Sequence, residues 1–348
     1  MRNKKWIAIL MILVLSITML AACGNKDSEK TADDKGSHSA ANEDTELTKI
    51  IVALDWTPNT NHTGLYVAQQ NGYFEEEGLS VEIIEASDAG AEAMVGSNTA
   101  QFGISFQDTL VPVYAAAEEE RLPITTVAAI IQHNTSGIIS PKDKGIKTPA
   151  GMAGNTYATW DLPIEQAIVK QVVTDDGGNY DEINLASQYV ENIQGAFEGG
   201  IDAVWIYYAW DGINTELAGL DTNFFYFKDY GDELDYYSPV IIANDSFLET
   251  EPETAKKFLA AVSKGYEYAI ENPEEAAQIL VDLNEGLDLE LCTASQKWLA
   301  DQYQADADKW GEIDQSRWDA FYNWVYENDL CENEIPAGFG FTNAYLPE

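Results

Sequence analysis

The feature that most constrains this fold is a regular alternation of short apolar runs with segments at helical spacing. Residues 50–54, 81–85 and 101–105 have the composition of buried strands, and helix-like stretches separate them. Strands joined in this way by helices are typical of a mostly parallel α/β sheet. A second series, with predicted strands at 155–159 and 201–207, repeats the pattern. We therefore predict two α/β lobes.

The chain order indicates that the second lobe is inserted in the first. Residues 236–243 read as a strand that returns to the first lobe, and the chain after residue 245 is chiefly helical. Two crossings, near Ser140 and Ser238, would form a hinge with a ligand cleft beside it. The predicted parts are a first lobe over 49–139, a second lobe over 140–238, and a return strand with C-terminal helices over 239–348.

The charge balance excludes one class of partner. The chain has 348 residues with 19 basic and 59 acidic side chains, which gives a net charge of −40. Nucleic acid is not expected as a partner, because few side chains would neutralise its phosphates. Anionic small molecules are disfavoured for the same reason, although a helix N-terminus could hold one.

The first residues have the layout of an export signal. Arg2, Lys4 and Lys5 precede an apolar run over 6–20, and Leu20-Ala21-Ala22-Cys23-Gly24 resembles a bacterial lipobox. We predict a lipoprotein signal peptide over 1–22, lipidation of Cys23 and a disordered tether over 23–48. The protein would then be anchored by lipid on the extracytoplasmic face of the cell membrane. An ordinary signal peptide with an incidental cysteine is the alternative.

Polar and aromatic residues cluster where predicted strands end. Ligands of open α/β sheets bind outside the carboxyl ends of the strands, so these residues form the predicted ligand site. The candidates are Asp55, Trp56, Asn59, His62, Ser105, Phe106, Gln107, Gln132, His133, Ser136, Trp160, Glu191, Tyr207, Trp210 and Asp211.

Asp55 and Trp56 suit a flat, nitrogen-rich ligand. The indole would stack on the ring, and the carboxylate would accept hydrogen bonds from N–H groups. The alternative is a buried Trp56 with Asp55 capping a local turn. Ser105 and Gln107 have a similar alternative, since they could simply cap the following helix. Capping of a helix by Asp161, next to Trp160, is also an open interpretation.

Signatures of catalysis and of metal binding are absent from the sequence. It has no GxSxG motif, no Walker loop and no GxGxxG after a strand. His62 and His133 do not have the spacing of a metal site. We therefore expect a binding protein, with neither a metal nor a cofactor, and not an enzyme. Cys292 and Cys331 could pair, or both could be free thiols.

These residues resemble a known family, the NMT1/THI5-like substrate-binding proteins. The likeness lies in Asp55-Trp56-Thr57-Pro58-Asn59, in residues 130–137 and in residues 205–213. It implies a type II periplasmic-binding-protein fold that closes on a thiamin-related aminopyrimidine, such as a formylaminopyrimidine. It also implies an ABC permease and ATPase as partners, and we expect a monomer. Trp56 would stack on the ring, and Asp55, Glu191 and Asp211 would bond it.

The same family includes pyrimidine-precursor synthases, which carry an active-site lysine and a cysteine cluster. Here residues 103–108 contain no lysine, and no cysteine lies between Cys23 and Cys292. Other relatives with the fold bind sulfonates, nitrate or riboflavin. A synthase-like enzyme and a binding protein for another small solute are therefore the alternatives.

Overall fold

The computed structural model of the protein describes residues 46–348. The predicted signal peptide at 1–22, the predicted lipidation of Cys23 and residues 23–45 of the predicted tether lie outside the described residues.

Ten β-strands form two five-stranded sheets within residues 46–348. The strands are β1 (Thr48–Leu54), β2 (Leu79–Glu85), β3 (Phe102–Ser105), β4 (Ile124–Ala129), β5 (Ser136–Pro141), β6 (Thr156–Thr159), β7 (Asn184–Ser187), β8 (Ala203–Tyr207), β9 (Thr222–Tyr226) and β10 (Val240–Asn244). Twelve α-helices accompany them in the same residues. They are α1 (Thr63–Gln70), α2 (Tyr73–Glu76), α3 (Ala91–Gly96), α4 (Val111–Tyr114), α5 (Pro163–Asp175), α6 (Ile193–Glu198), α7 (Ile213–Leu217), α8 (Asp245–Thr250), α9 (Pro252–Glu271), α10 (Pro273–Leu283), α11 (Leu289–Leu299) and α12 (Gln315–Glu327).

The two sheets have matching topology. The first has the order β2-β1-β3-β10-β4 and the second the order β7-β6-β8-β5-β9. In each sheet the fourth strand runs antiparallel to both of its neighbours, whereas the others share one direction. The predicted two-lobed α/β fold is confirmed. We call the first sheet with its helices the first lobe and the second sheet with its helices the second lobe.

The chain crosses between the lobes twice. It leaves the first sheet after Ala129 and enters the second at Ser136. The first crossing therefore lies earlier than the predicted boundary at 139/140, because the apolar residues after Ser136 belong to β5 of the second sheet. The return runs from Tyr226 to Val240, where β10 joins the first sheet.

The C-terminal helices pack on the first lobe, with α9 against α1 and α10 against both. Proline starts α9 and α10, where the missing N–H would have no helical partner. Gly64 and Gly265 let α1 and α9 approach closely, because a Cβ on Gly265 would lie 2.0 Å from the Gly64 carbonyl oxygen. This packing holds α1, and the loop before it, in place. No helix among residues 46–348 is long and apolar enough to cross a bilayer.

Candidate functional site

Two exposed aromatic rings from different lobes face each other. Trp56 follows β1 and Tyr189 follows β7, and their side chains are 55% and 61% exposed. Their ring centroids are 6.2 Å apart with an interplanar angle of 50°. Most large aromatic side chains in the described part of the chain are buried or half-buried. Exposed aromatics that approach each other across two lobes are typical of a binding surface.

A second aromatic pair joins the lobes nearby. Phe106, after β3, stacks on Tyr207, at the end of β8, with a centroid distance of 5.8 Å and an interplanar angle of 24°. Both rings are only half-buried. The carboxyl ends of β1, β3 and β8 therefore converge on one cleft, as expected for ligand sites of α/β sheets.

The carboxylate of Asp55 is held by a buried histidine. The Asn59 backbone N–H donates to His62 Nδ1 at 3.2 Å, so Nε2 of the neutral ring carries the proton and donates to Asp55 Oδ1 at 2.7 Å. The His62 side chain is fully buried. Within residues 46–348 the other oxygen, Asp55 Oδ2, makes no hydrogen bond. Asn59 and His62, both candidates for ligand contact, thus orient Asp55.

Two further carboxylates line the cleft. Burial raises the pKa of Asp108 and that of Asp211 to about 6. The pKa of Tyr207 is raised by burial and then by repulsion from Asp108, Asp55 and Asp211. Carboxylates from both lobes therefore surround the Tyr207 phenol. Burial of these carboxylates costs free energy when all three are ionised.

The neighbourhood of Tyr189 is also acidic. Burial raises its pKa, and the nearby charges of Glu191 and Asp211 raise it further. Glu191 itself is exposed. We call the site formed by Asp55, Trp56, Phe106, Asp108, Tyr189, Tyr207 and Asp211 the acidic cleft.

Four predicted ligand residues are buried in the protein interior and are not part of the acidic cleft. Each is buried and bonded within the protein, which leaves its polar group unavailable to a ligand. Ser105 donates to Glu92, Gln107 bonds the Tyr237 N–H and the Trp318 carbonyl, Gln132 donates to the Glu312 carbonyl, and Ser136 donates to Asn134 Oδ1. They hold the strand ends in position.

His133 lies in the first crossing between the lobes, between β4 and β5, and not in the acidic cleft. Its Nδ1 is 2.6 Å from Asp235 Oδ2 and its Nε2 is 3.0 Å from Asp306 Oδ1. Burial alone would raise the pKa of Asp235, but the hydrogen bond and charge of His133 and the Asn134 N–H lower it below its ordinary value. The pair ties the two crossings together. A cavity of about 640 Å³ opens beside it, lined by charges of both signs and separate from the aromatic rings of the cleft.

Two predicted tryptophans have neighbours other than those expected. Trp160 packs on Trp205, with centroids 5.4 Å apart, and the helix after it is capped by Glu165, which accepts the Leu162 N–H at 3.3 Å. Asp161 is therefore not the cap. Trp210 packs against apolar side chains of the first lobe.

Sequence reasoning missed two residues of the acidic cleft. These two residues, Asp108 and Tyr189, are not among the candidates selected from the sequence. Asp108 lies two residues after the candidate Phe106, and Tyr189 lies two residues before the candidate Glu191, which was the available signal. Among the described residues no cluster of three metal-ligating side chains is present, and Cys292 and Cys331 are free thiols.

Comparisons with known proteins converge on one family. The family model described as "NMT1/THI5 like" matches residues 59–276. A formylaminopyrimidine-binding protein of Halalkalibacterium halodurans is 28% identical over 339 residues, which cover 95% of this chain and 97% of the relative. A 4-amino-5-hydroxymethyl-2-methylpyrimidine phosphate synthase of Aspergillus parasiticus is 25% identical over 68% of this chain and 70% of its own.

The fold is shared with solved binding proteins. The alkanesulfonate-binding protein SsuA from Xanthomonas axonopodis pv. citri superposes with a TM-score of 0.65 at 12% identity, covering 85% of this chain and 99% of its own. At that identity the likeness concerns the two-lobed architecture alone.

Proposed function

Since this chain belongs to the NMT1/THI5-like family, we propose that it is the solute-binding component of an ABC importer and captures a thiamin-related aminopyrimidine. The relative that binds formylaminopyrimidine matches almost the whole chain, which supports this ligand class. Closure of the hinge would trap the ligand, and the permease would take it from the closed form. The lipobox-like sequence at Cys23 supports a lipid anchor on the extracytoplasmic face.

One observation carries the proposal: Trp56 and Tyr189 face each other across the lobes while both remain exposed. At 6.2 Å and 50° the two rings are too close and too tilted to hold another ring between them, since two stacked contacts need about 7 Å between near-parallel planes. A small separation of the lobes that turns the rings parallel would let a flat heterocycle stack on both and remove both from water. Stacking of a base on one aromatic side chain contributes about 1–3 kcal/mol. Two such contacts on opposite lobes would favour the closed form over the open one.

The carboxylates specify what kind of ring is held. Asp55 Oδ2 is free to accept a hydrogen bond from an exocyclic amine, and Asp211 lies across the cleft from it on the second lobe. The charged groups that influence Asp108, Tyr189, Tyr207 and Asp211 include no lysine or arginine among the described residues. A sulfonate or nitrate would meet repulsion here, so an uncharged or cationic ring rich in N–H donors is favoured.

The synthase alternative has less support. Strand β3 ends at Ser105, whose hydroxyl is committed to Glu92, and residues 103–108 offer no lysine. Among residues 46–348 neither Cys292 nor Cys331 is bonded to a histidine, and burial raises the pKa of both thiols. These groups are suited to packing, so the protein is expected to bind its ligand and release it unchanged.

Calorimetric titration tests the proposal directly. Purified protein is titrated with formylaminopyrimidine, thiamin, riboflavin and an alkanesulfonate. We expect a submicromolar Kd, about −9 kcal/mol or better, for the aminopyrimidine and recovery of that compound unchanged by mass spectrometry. Tighter binding of riboflavin or the sulfonate, or conversion of the pyrimidine, would rule the proposal out.

Replacing His62 with glutamine tests how Asp55 is positioned. Glutamine keeps a donor but does not reproduce the imidazole that joins the Asn59 N–H to the carboxylate. We expect ligand affinity to fall about tenfold, close to 1.4 kcal/mol, because Asp55 is no longer held in one orientation. Asn61 is a half-buried residue of the same loop that contacts Asn59 and Tyr266 through its backbone, so Asn61→Ala serves as the control. Equal affinities of the His62→Gln variant and the wild type would show that Asp55 does not need this support.

A further inference from the structure

The lobes also touch away from the hinge, at the turn that follows β8. Residues Tyr208–Gly212 form a π-helical turn that leads into α7. Helix α11 of the first lobe packs against both the turn and α7. π-Helical turns are rare and occur frequently at functional sites.

Polar bonds and an aromatic contact join the turn to the first lobe. Ser295, on α11, donates its hydroxyl hydrogen to the Ala209 carbonyl. The Thr60 hydroxyl lies 2.6 Å from the same Ser295 hydroxyl. The rings of Tyr208 and Trp298 are 5.3 Å apart. The turn is therefore connected through Ser295 to the loop that carries His62 and orients Asp55.

Trp210 makes the apolar part of this contact. It packs against a small cluster of the first lobe that we call the Cys292 cluster, formed by Tyr66, Ala277, Leu280 and Cys292. The next residue, Asp211, belongs to the acidic cleft. One turn of the second lobe thus presents a ligand-binding carboxylate and, beside it, an indole that docks on the other lobe.

We propose that Trp210 is a closure latch: its indole, docked on the Cys292 cluster, holds the lobes together while Asp211 contacts the ligand. The link to ligand binding rests on the proposed function, whereas the docking of Trp210 does not depend on the ligand's identity. Trp210 is then a positioning residue that slows opening without touching the solute. Trp210 is half-buried in this contact, and aromatic anchors carry much of the energy of protein contacts.

The structure supplies a reporter for opening. Cys292 is fully buried in the cluster, and burial raises its pKa to about 11, so the thiol is unreactive while the cluster stays covered. Cys331 is half-buried on a different surface and serves as an internal reference. Alkylation by N-ethylmaleimide, quantified at each cysteine by peptide mass spectrometry, therefore measures exposure of the surface under Trp210.

We expect Trp210→Ala to speed alkylation of Cys292 about tenfold or more without ligand, while Cys331 is unchanged. In stopped-flow measurements formylaminopyrimidine should dissociate from this variant about 10–100-fold faster than from the wild type. Ser295→Ala, which removes the bond to the Ala209 carbonyl, should shift both rates in the same direction by less. Tyr326→Ala, an exposed aromatic on α12, is the matched control and should leave both rates unchanged.

Wild-type alkylation rates in Trp210→Ala and Ser295→Ala, with circular dichroism showing both folded, would overturn the latch. Faster dissociation with unchanged Cys292 alkylation would also overturn it, because Trp210 would then act as a ligand contact. Failure of the wild type to bind formylaminopyrimidine would instead refute the proposed function, and the ligand-free alkylation rates would still decide for or against the latch.

Discussion

We expect Trp56→Ala to weaken binding of the proposed ligand, formylaminopyrimidine, by about 1–3 kcal/mol, and we expect the added change Tyr189→Ala roughly to double the loss. Each ring is exposed in the protein and supplies one stacking face, from a different lobe. The loss should be concentrated in the dissociation rate, because contacts made after closure control how fast the cleft reopens.

Titration calorimetry on the two single variants and the double variant measures these losses and any coupling between the rings. Trp160→Ala is the control, because that indole packs on Trp205 within the second lobe. Unchanged affinity in Trp56→Ala would show that Trp56 is not a ligand contact. The proposed stacking of the ligand between Trp56 and Tyr189 would then be wrong.

Asp108→Asn and Asp211→Asn should each raise the free energy of unfolding at pH 7.5 by about 1–3 kcal/mol while weakening ligand binding. Burial raises the folded-state pKa of both groups from 3.8 to about 6. Between those values the folded protein binds more protons than the unfolded chain. The contribution of these groups to stability is therefore fully present below pH 3.8 and is lost as pH rises through 6.

Urea unfolding at pH 4.5 and pH 7.5 checks the sign. The gain in unfolding free energy of each variant over the wild type should be large at pH 7.5 and small at pH 4.5, where the wild-type carboxyl is protonated. Asp301→Asn, at an exposed position, controls for removal of negative charge alone. A gain that is the same at both pH values would mean that burial of these carboxylates is not the cause.

The sequence placed Asp55 and Trp56 at the end of a strand, where they stay candidate ligand contacts, but it did not predict the partners of most polar residues near them. Asp55 and Trp56 follow an apolar run, and the strand-end rule places them on the cleft. The same rule also selected Gln107 and Gln132, whose partners Trp318 and Glu312 lie far along the chain. The ends of the strands show which residues lie near the cleft. Whether a side chain faces the cleft or the protein interior depends on the C-terminal segments that pack against the strand ends.

The sequence alone was sufficient for the two α/β lobes, the insertion of one in the other and the family. Apolar periodicity and strand–helix alternation are local properties, and both can be read directly from the amino-acid sequence. The tertiary structure decided that His62 orients Asp55, that Tyr189 faces Trp56, and that Trp210 docks on the opposite lobe. Those contacts join segments from two sheets and from the C-terminal helices. Which side chains meet in these contacts depends on the packing of helices and strands that are far apart in the chain. No local sequence pattern encodes that packing.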